Sequence, residues 1–137
     1  MKLLIPILLL SATMAQANPT TSLKPASHAI SYDKIKHPEK AMTAEQAKAI
    51  LKEMQQQRND EEKIAVIKAR LNSKEVGITI NQLATFMNQF LTDDSKMAAA
   101  KYAFEYTTNY KSFLDLVNLF SREEYKDALE DFYKKNK

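Results

Sequence analysis

The residues able to perform acid–base or nucleophilic chemistry are few and lie near the amino terminus. The sequence has no cysteine and two histidines, His28 and His37, with Ser27, Ser31 and Asp33 close to them. A base beside a hydroxyl is the combination that activates a nucleophile. However, these residues lie in a segment rich in Pro, Ser, Thr and Lys without apolar periodicity, which is typical of a flexible chain that holds no fixed catalytic geometry. We therefore predict that the protein is not an enzyme and assign no catalytic residue.

Three pairs of adjacent acids are the second group with possible chemistry: Glu61/Glu62, Asp93/Asp94 and Glu123/Glu124. Each pair falls in the first turn of a predicted helix, where the helix dipole favours carboxylates. The Asp93-Asp94 turn lacks the D-x-D-x-D-G spacing of a calcium loop. No cysteine and no histidine pair on a helix face is present to bind zinc. We predict no metal and no cofactor, and calcium binding at Asp93-Asp94 stays as an open alternative.

Tyrosines are the residues best suited to contact a partner protein. Tyr106, Tyr110 and Tyr133 fall near the ends of predicted helices, where a side chain reaches solvent most easily. Because amphipathic tyrosine is enriched at protein interfaces, these three are our candidate partner-binding residues. The alternative is that the tyrosines form the rim of the core with their hydroxyls in water.

The first 17 residues have the pattern of a secretory signal. One lysine follows Met1, an apolar run extends from Leu3 to Leu10, and an Ala-Gln-Ala sequence ends at Ala17. This order matches a charged, an apolar and a cleavage region. The apolar run is less than half of the roughly 20 residues that a membrane helix needs. We predict cleavage after Ala17, no transmembrane segment in the mature chain, and a periplasmic or secreted protein.

Net charge argues against a nucleic-acid partner. The chain has a formal charge of +3, but from Thr43 onward the basic and acidic residues are equal in number. Phosphate binding needs clustered positive charge. We therefore expect a protein partner in the cell envelope and no nucleic acid.

The remaining sequence predicts an all-α fold behind a leader. Residues 18–42 form the proline-containing, flexible leader, to which we assign no core residue, and residues 43–137 form the folded domain. After residue 42 the sequence contains no proline and a single glycine, Gly77, so hairpin turns are not expected. Apolar stripes at helical spacing predict six helices, at about 44–57, 60–72, 80–91, 93–107, 110–120 and 122–134.

Helix-start signals locate these elements. Thr43-Ala-Glu-Gln46, Thr79-Ile-Asn-Gln82 and Ser121-Arg-Glu-Glu124 have the form of capping boxes. Further starts are predicted at Asn59, Thr92 and Asn109.

An internal repeat groups the helices into three hairpins. An offset of 30 residues superposes Leu83, Phe86, Met87 and Phe90 on Phe113, Leu116, Val117 and Phe120. An offset of 36 residues superposes the first capping box on the second. No single hairpin of this kind can bury its own apolar face, so three stacked hairpins are expected to form one compact bundle, with Phe90 and Phe120 buried.

Residues 79–129 resemble a known family. The pattern consists of the Thr79-x-x-Gln82 helix start, the turn in residues 90–96, the Asn109-Tyr110 step, and a second turn from Phe120-Ser121 to Lys126. It is similar to the domain of unknown function 4476 (DUF4476), and the likeness covers about residues 43–134, with Thr107-Thr108 departing from the family's pattern. The resemblance implies an exported helical domain and supplies no reaction. A weaker likeness, carried by Met42-Thr43 to Gln46 and Ile78-Thr79 to Gln82, is to periplasmic chaperones with L-T-x-x-Q motifs.

These observations predict a non-enzymatic protein-interaction module of the bacterial envelope that binds a protein through a helix face, with the leader as tether or spacer. The alternative is a periplasmic chaperone-like protein or a metal- or ligand-responsive helical protein. An open, cradle-like arrangement would favour the chaperone, whereas a closed domain with a filled core would favour the interaction module.

Overall fold

The computed structural model describes residues 34–137, and these residues are all-helical. The α-helices are α1 (Ala44–Gln55), α2 (Asp60–Arg70), α3 (Ile80–Met87), α4 (Asp93–Ala103) and α5 (Glu123–Asn136), and two 3-10 helices occupy Phe104–Tyr106 and Tyr110–Leu119. None of these helices is long and apolar enough to cross a membrane. The all-α prediction is confirmed. The predicted signal peptide and the leader up to residue 33 lie outside the described residues.

Two of the three predicted capping boxes are formed. The Thr43 side chain accepts a hydrogen bond from the Gln46 amide at 3.2 Å, and the Gln46 side chain accepts one from the Thr43 amide at 2.9 Å. Thr79 and Gln82 make the same reciprocal pair at the start of α3. Each box satisfies two amide groups that have no partner within the helix, which fixes where α1 and α3 begin.

The helices stack in two layers that follow the predicted repeat. The first helices of the three hairpins, α1, α3 and the 3-10 helix Tyr110–Leu119, lie side by side in one layer. The second helices, α2, α4 and α5, lie side by side in the other, with α4 in the middle. Three consecutive hairpins therefore form one stack, as the repeat predicts.

The segments that lead into the three first helices meet in a short parallel ladder. Ala41 bridges to Gly77, and Ile78 bridges to Thr107. Gly77 is required here because of close packing: a Cβ atom at this position would lie 2.7 Å from Cγ of Pro38 and in contact with the Tyr106 carbonyl oxygen. The ladder joins the entry points of all three repeats through backbone hydrogen bonds.

The core is continuous and filled by residues from every repeat. Phe90 and Phe120, at equivalent repeat positions, are 5% and 3% exposed, as predicted. The largest fully buried side chains include Phe86, Phe104, Phe113, Met54, Ile67 and Leu116. The domain is closed, with no buried side-chain nitrogen or oxygen left without a partner among residues 34–137.

The packed domain begins earlier than predicted. Residues 35–42, here called the strap, pack on the domain, whereas the sequence predicts that they belong to the flexible leader. Met42 is only 7% exposed, Ile35 is partly buried against the core, and Pro38 is buried. The Met42 amide donates to the Gly77 carbonyl at 2.8 Å. The boundary at residue 43 is therefore corrected, because backbone pairing orders a segment that has no apolar period.

Two predicted helix starts differ from the structure in their capping. The fifth element begins after Asn109 as expected but is a 3-10 helix, and the Asn109 side chain accepts from the amide of Ile80 at 2.8 Å instead of capping its own helix. At α5 the cap residue is Arg122, without a side-chain cap, so the predicted box at Ser121 does not form. Both helix starts depend on contacts with a neighbouring repeat.

Candidate functional site

The three candidate tyrosines lie at two different places. Tyr110 and Tyr133 both pack around Phe104, with ring centroids 6.3 and 6.2 Å from it. Tyr106 packs instead against Tyr102 at 5.5 Å. The structure therefore does not gather Tyr106, Tyr110 and Tyr133 into one patch.

Each of these tyrosine rings also has a partner within the domain. The His37 ring of the strap stacks on Tyr110 at 3.9 Å with an interplanar angle of 9°. Tyr133 stacks on Phe113 at 6.1 Å, and the Lys74 ammonium lies 4.8 Å from the centroid of the Tyr106 ring. These contacts belong to the rim of the core, which is the alternative named above for the tyrosines.

His37 has a structural position. Its Nδ1 donates to the Thr107 carbonyl at 3.1 Å, and its ring meets Phe104 edge-on at 5.0 Å. Burial lowers the pKa of His37 below its usual 6.5, despite the opposing effect of the Thr107 hydrogen bond. The neutral imidazole therefore fastens the strap. The other histidine, His28, lies outside the described residues, as do Ser27, Ser31 and Asp33.

The Asp93-Asp94 turn joins two repeats. Asp93 carboxylate oxygens accept from the Ser121 amide at 3.0 Å and from the Arg122 amide at 2.9 Å, at the start of α5. Lys96, one turn further along α4, lies 3.8 Å from Asp93 and donates to the Leu119 carbonyl at 2.7 Å. An aspartate and a lysine on one helix thus bind backbone amides and a carbonyl in the connection between the two helices of the next repeat. We call this arrangement a backbone clamp.

The electrostatics of Asp93 follow from these contacts. Burial by itself raises the pKa of Asp93, but the Arg122 and Ser121 amides and the Lys96 ammonium outweigh it and hold the pKa below its usual value. The neighbouring Asp94 accepts a hydrogen bond from the Tyr125 hydroxyl. Within residues 34–137, no three His, Asp or Glu side chains are grouped so as to hold a metal ion.

The same clamp occurs one repeat earlier. Asp60 of α2 accepts from the Leu91 amide at 3.0 Å and the Thr92 amide at 3.3 Å, where α4 begins. Lys63 lies 3.6 Å from Asp60 and donates to the Gln89 carbonyl at 2.7 Å. Asp60 and Asp93, the first residues of α2 and α4, therefore make structural contacts between repeats, a role that the sequence analysis does not predict.

The third copy of this motif contacts no backbone amide of another repeat among residues 34–137. Glu123 and Lys126 pair at 2.9 Å on α5, and the Glu123 side chain is 76% exposed, against 7% for Asp93. The sequence signal that could have identified the clamp is the recurrence of an acid at the first helical position and a lysine three residues later, in Asp60/Lys63, Asp93/Lys96 and Glu123/Lys126.

The surface feature best suited to binding is a groove of about 390 Å³ beside α1. Its apolar lining comes from Met42, Ala49, Ile50 and Val76, and Val76 is 36% exposed. We call it the α1 groove. A groove that presents apolar surface to solvent is typical of a binding site.

The rim of the α1 groove is charged. Glu53 of α1 and Arg70 of α2 form an ion pair of 2.7 Å in its lining, and Glu75 lies on the loop between α2 and α3. A second surface groove, of about 560 Å³, lies between α4 and α5 and is lined by Asp94, Lys101, Glu124 and Tyr125 among others. Both grooves mix apolar and charged side chains, and the α1 groove is our candidate site because it carries the exposed apolar side chain of Val76.

Comparison with known proteins places this architecture in a family. The family model described as Domain of unknown function (DUF4476) matches residues 41–133. The match starts at Ala41, the first residue of the bridge ladder, and covers all three repeats. No curated protein and no solved structure matches the chain. The chain belongs to the DUF4476 family.

Proposed function

We propose that this chain is an exported, non-enzymatic protein-interaction module of the bacterial envelope and that its partner binds in the α1 groove. The observation that carries the proposal is the groove itself, because it combines an apolar floor of Met42, Ile50 and Val76 with a charged rim. Interfaces between proteins commonly have an apolar centre and a polar rim.

The closed core supports an interaction module over a chaperone that holds unfolded clients. Phe90 and Phe120 are buried, and their repeat stripes face the interior. The histidine of the described chain fastens the strap, and the acids of the turns at Asp60 and Asp93 hold backbone amides. These side chains have defined structural roles, which supports a binding function over catalysis.

Export is proposed from the pattern of residues 1–17. The intact mass of the protein recovered from the periplasm or medium tests it. A chain that begins at Asn18 is expected, and a chain that keeps residues 1–17 would contradict it.

The proposed binding site is tested by photo-crosslinking in cells. A photoreactive phenylalanine analogue replaces Val76 in the α1 groove or, as a matched control, exposed Ala98 in the groove between α4 and α5. We expect one protein, identified by mass spectrometry, to be crosslinked from position 76 and not from position 98. Equal yields at both positions, or none at 76, would contradict the proposed site.

A further inference from the structure

The α1 groove occupies the repeat position that, one repeat later, lies between α1 and α3. The superposition that aligns the two capping boxes places Gln46, Ala49 and Ile50 of α1 on Gln82, Thr85 and Phe86 of α3. The three α1 residues line the α1 groove. The three α3 residues face α1, with a residual gap of about 210 Å³ between the helices.

The element that covers this face of α3 is a helix with small apolar side chains. Ala44, Ala47 and Leu51 of α1 lie against it, with Lys48 at its edge. The Gln55 side chain of α1 donates to the Gln89 side chain at 3.4 Å. An amphipathic helix with alanines three residues apart and a leucine four further on therefore packs beside the position on α3 that is equivalent to the α1 groove.

We propose that the α1 groove receives an amphipathic α-helix of a partner protein, packed on α1 as α1 packs on α3. The inference rests on the proposed function and specifies the chemistry of the partner: small apolar residues at positions i and i+3, a larger one at i+7, and a basic residue beside them. A second copy of this chain does not supply that helix through α1, because Ala44, Ala47 and Leu51 already face α3.

Charge supports the basic residue. The rim carries the carboxylates of Glu53 and Glu75 and the guanidinium of Arg70. Arg70 pairs with Glu53 at 2.7 Å, whereas Glu75 is in no ion pair among residues 34–137. A lysine on the incoming helix, placed as Lys48 is placed on α1, complements the excess carboxylate.

The opposite end of the stack lacks this capacity. Ile64 and Ile67 on α2 correspond to Met97 and Ala100 on α4, and these positions face the next repeat or the core. On α5 the equivalent positions are Asp127 and Glu130, so the last helix presents carboxylates outward. A polar outer face closes a repeat stack, whereas an apolar one continues it. The first repeat is therefore the end that accepts a further helix.

The experiment measures binding of a fluorescent peptide to the purified protein by anisotropy. The peptide has the sequence of residues 43–57 and is held helical by a staple at the positions of Glu45 and Ala49, on the side opposite Ala47 and Leu51. The staple is needed because isolated helices of this length are marginal in water. The control peptide carries Ala47→Glu and Leu51→Glu.

Two protein variants locate the binding. Ala49→Trp fills the α1 groove from an exposed helical position, and Ala98→Trp places the same ring in the groove between α4 and α5. We expect saturable binding to the wild type, weakened on the order of tenfold or more by Ala49→Trp, little changed by Ala98→Trp, and absent for the control peptide. If Ala49→Trp lowers the melting temperature, Val76→Arg, on the loop, replaces it.

The contrary outcomes separate the inference from the proposed function. No saturable binding up to about 1 mM peptide overturns the inference. Binding that is insensitive to Ala49→Trp also overturns the inference, because the peptide would then have displaced α1 from its position on α3. If either result is obtained but a protein is still crosslinked from position 76 in cells, the proposed function stands. The partner then binds the α1 groove with something other than an amphipathic helix of this kind. If the crosslink is absent too, both fail.

Discussion

Replacing Asp93 by alanine tests the backbone clamp between repeats. Asp93 lies at the first position of α4, and its carboxylate accepts from the amides of Ser121 and Arg122. Asp60 and Glu123 lie at the first positions of α2 and α5. All three acids interact with the dipole of their own helix, but only Asp60 and Asp93 hold a following repeat.

The size of the effect follows from these contacts. Each hydrogen bond to an ionised acceptor contributes about 1.5–3 kcal/mol, so the loss of two, offset by water that reaches the freed amides, gives about 2–4 kcal/mol for Asp93→Ala. Asp60→Ala removes the same two kinds of bond and is expected to cost a similar amount. Glu123→Ala removes only the dipole interaction and an exposed ion pair, about 0.3–1 kcal/mol.

Urea unfolding followed by circular dichroism measures these differences. The pKa of Asp93 is lower in the folded than in the unfolded protein, so its contribution is complete above pH 3.8 and is lost as the pH falls from there through the folded value. The difference in unfolding free energy between wild type and Asp93→Ala should therefore narrow below pH 3.8. If Glu123→Ala destabilises as much as Asp93→Ala, the helix dipole accounts for both effects and the clamp does not contribute.

Three further predictions concern the core, the strap and the ladder. Phe90→Ala and Phe120→Ala should each lower the unfolding free energy by about 3–5 kcal/mol in the same urea assay, and a tolerated change would mean an open core. Because burial lowers the pKa of His37, the stabilising contribution of its neutral ring is complete above pH 6.5 and is lost as the pH falls through 6.5 towards the folded value. His37→Phe should remove this slope from urea midpoints measured between pH 7.5 and pH 5.5, and an unchanged slope would contradict the assignment. Gly77→Ala should destabilise the protein in thermal melts, since its Cβ would overlap Pro38, and a variant as stable as the wild type would show that the ladder is not close-packed.

Sequence reasoning succeeded where the relevant contacts are local. The caps at Thr43 and Thr79 need residues only three apart, and the repeat aligned Phe90 with Phe120 because each helix has its own apolar stripe. The family likeness rested on the same recurring elements and is confirmed by the match over residues 41–133.

Sequence reasoning failed where a residue distant in the chain provides the hydrogen bond or packing contact that a neighbouring residue was expected to provide. Ser121 and Glu124 have the spacing of a capping box, but the amides of Ser121 and Arg122 donate to Asp93, which lies 28 residues before Ser121. The strap has no apolar period because it is ordered by backbone pairing with Gly77 and by the stacked ring of His37. The α1 groove also escaped prediction, since its lining combines the strap, α1, the end of α2 and the loop before α3, which are far apart in the sequence.

The central claim is that a partner protein occupies the α1 groove. Hydrogen–deuterium exchange of the protein, free and bound to the partner identified by crosslinking from position 76, tests it most directly. We expect binding to slow exchange in residues 46–53 of α1 and in residues 73–76 of the neighbouring loop, and to leave exchange in α5 unchanged. Slowed exchange around Tyr110 and Tyr133, with unchanged exchange in α1, would contradict binding in the α1 groove and would indicate that the tyrosines form the binding surface.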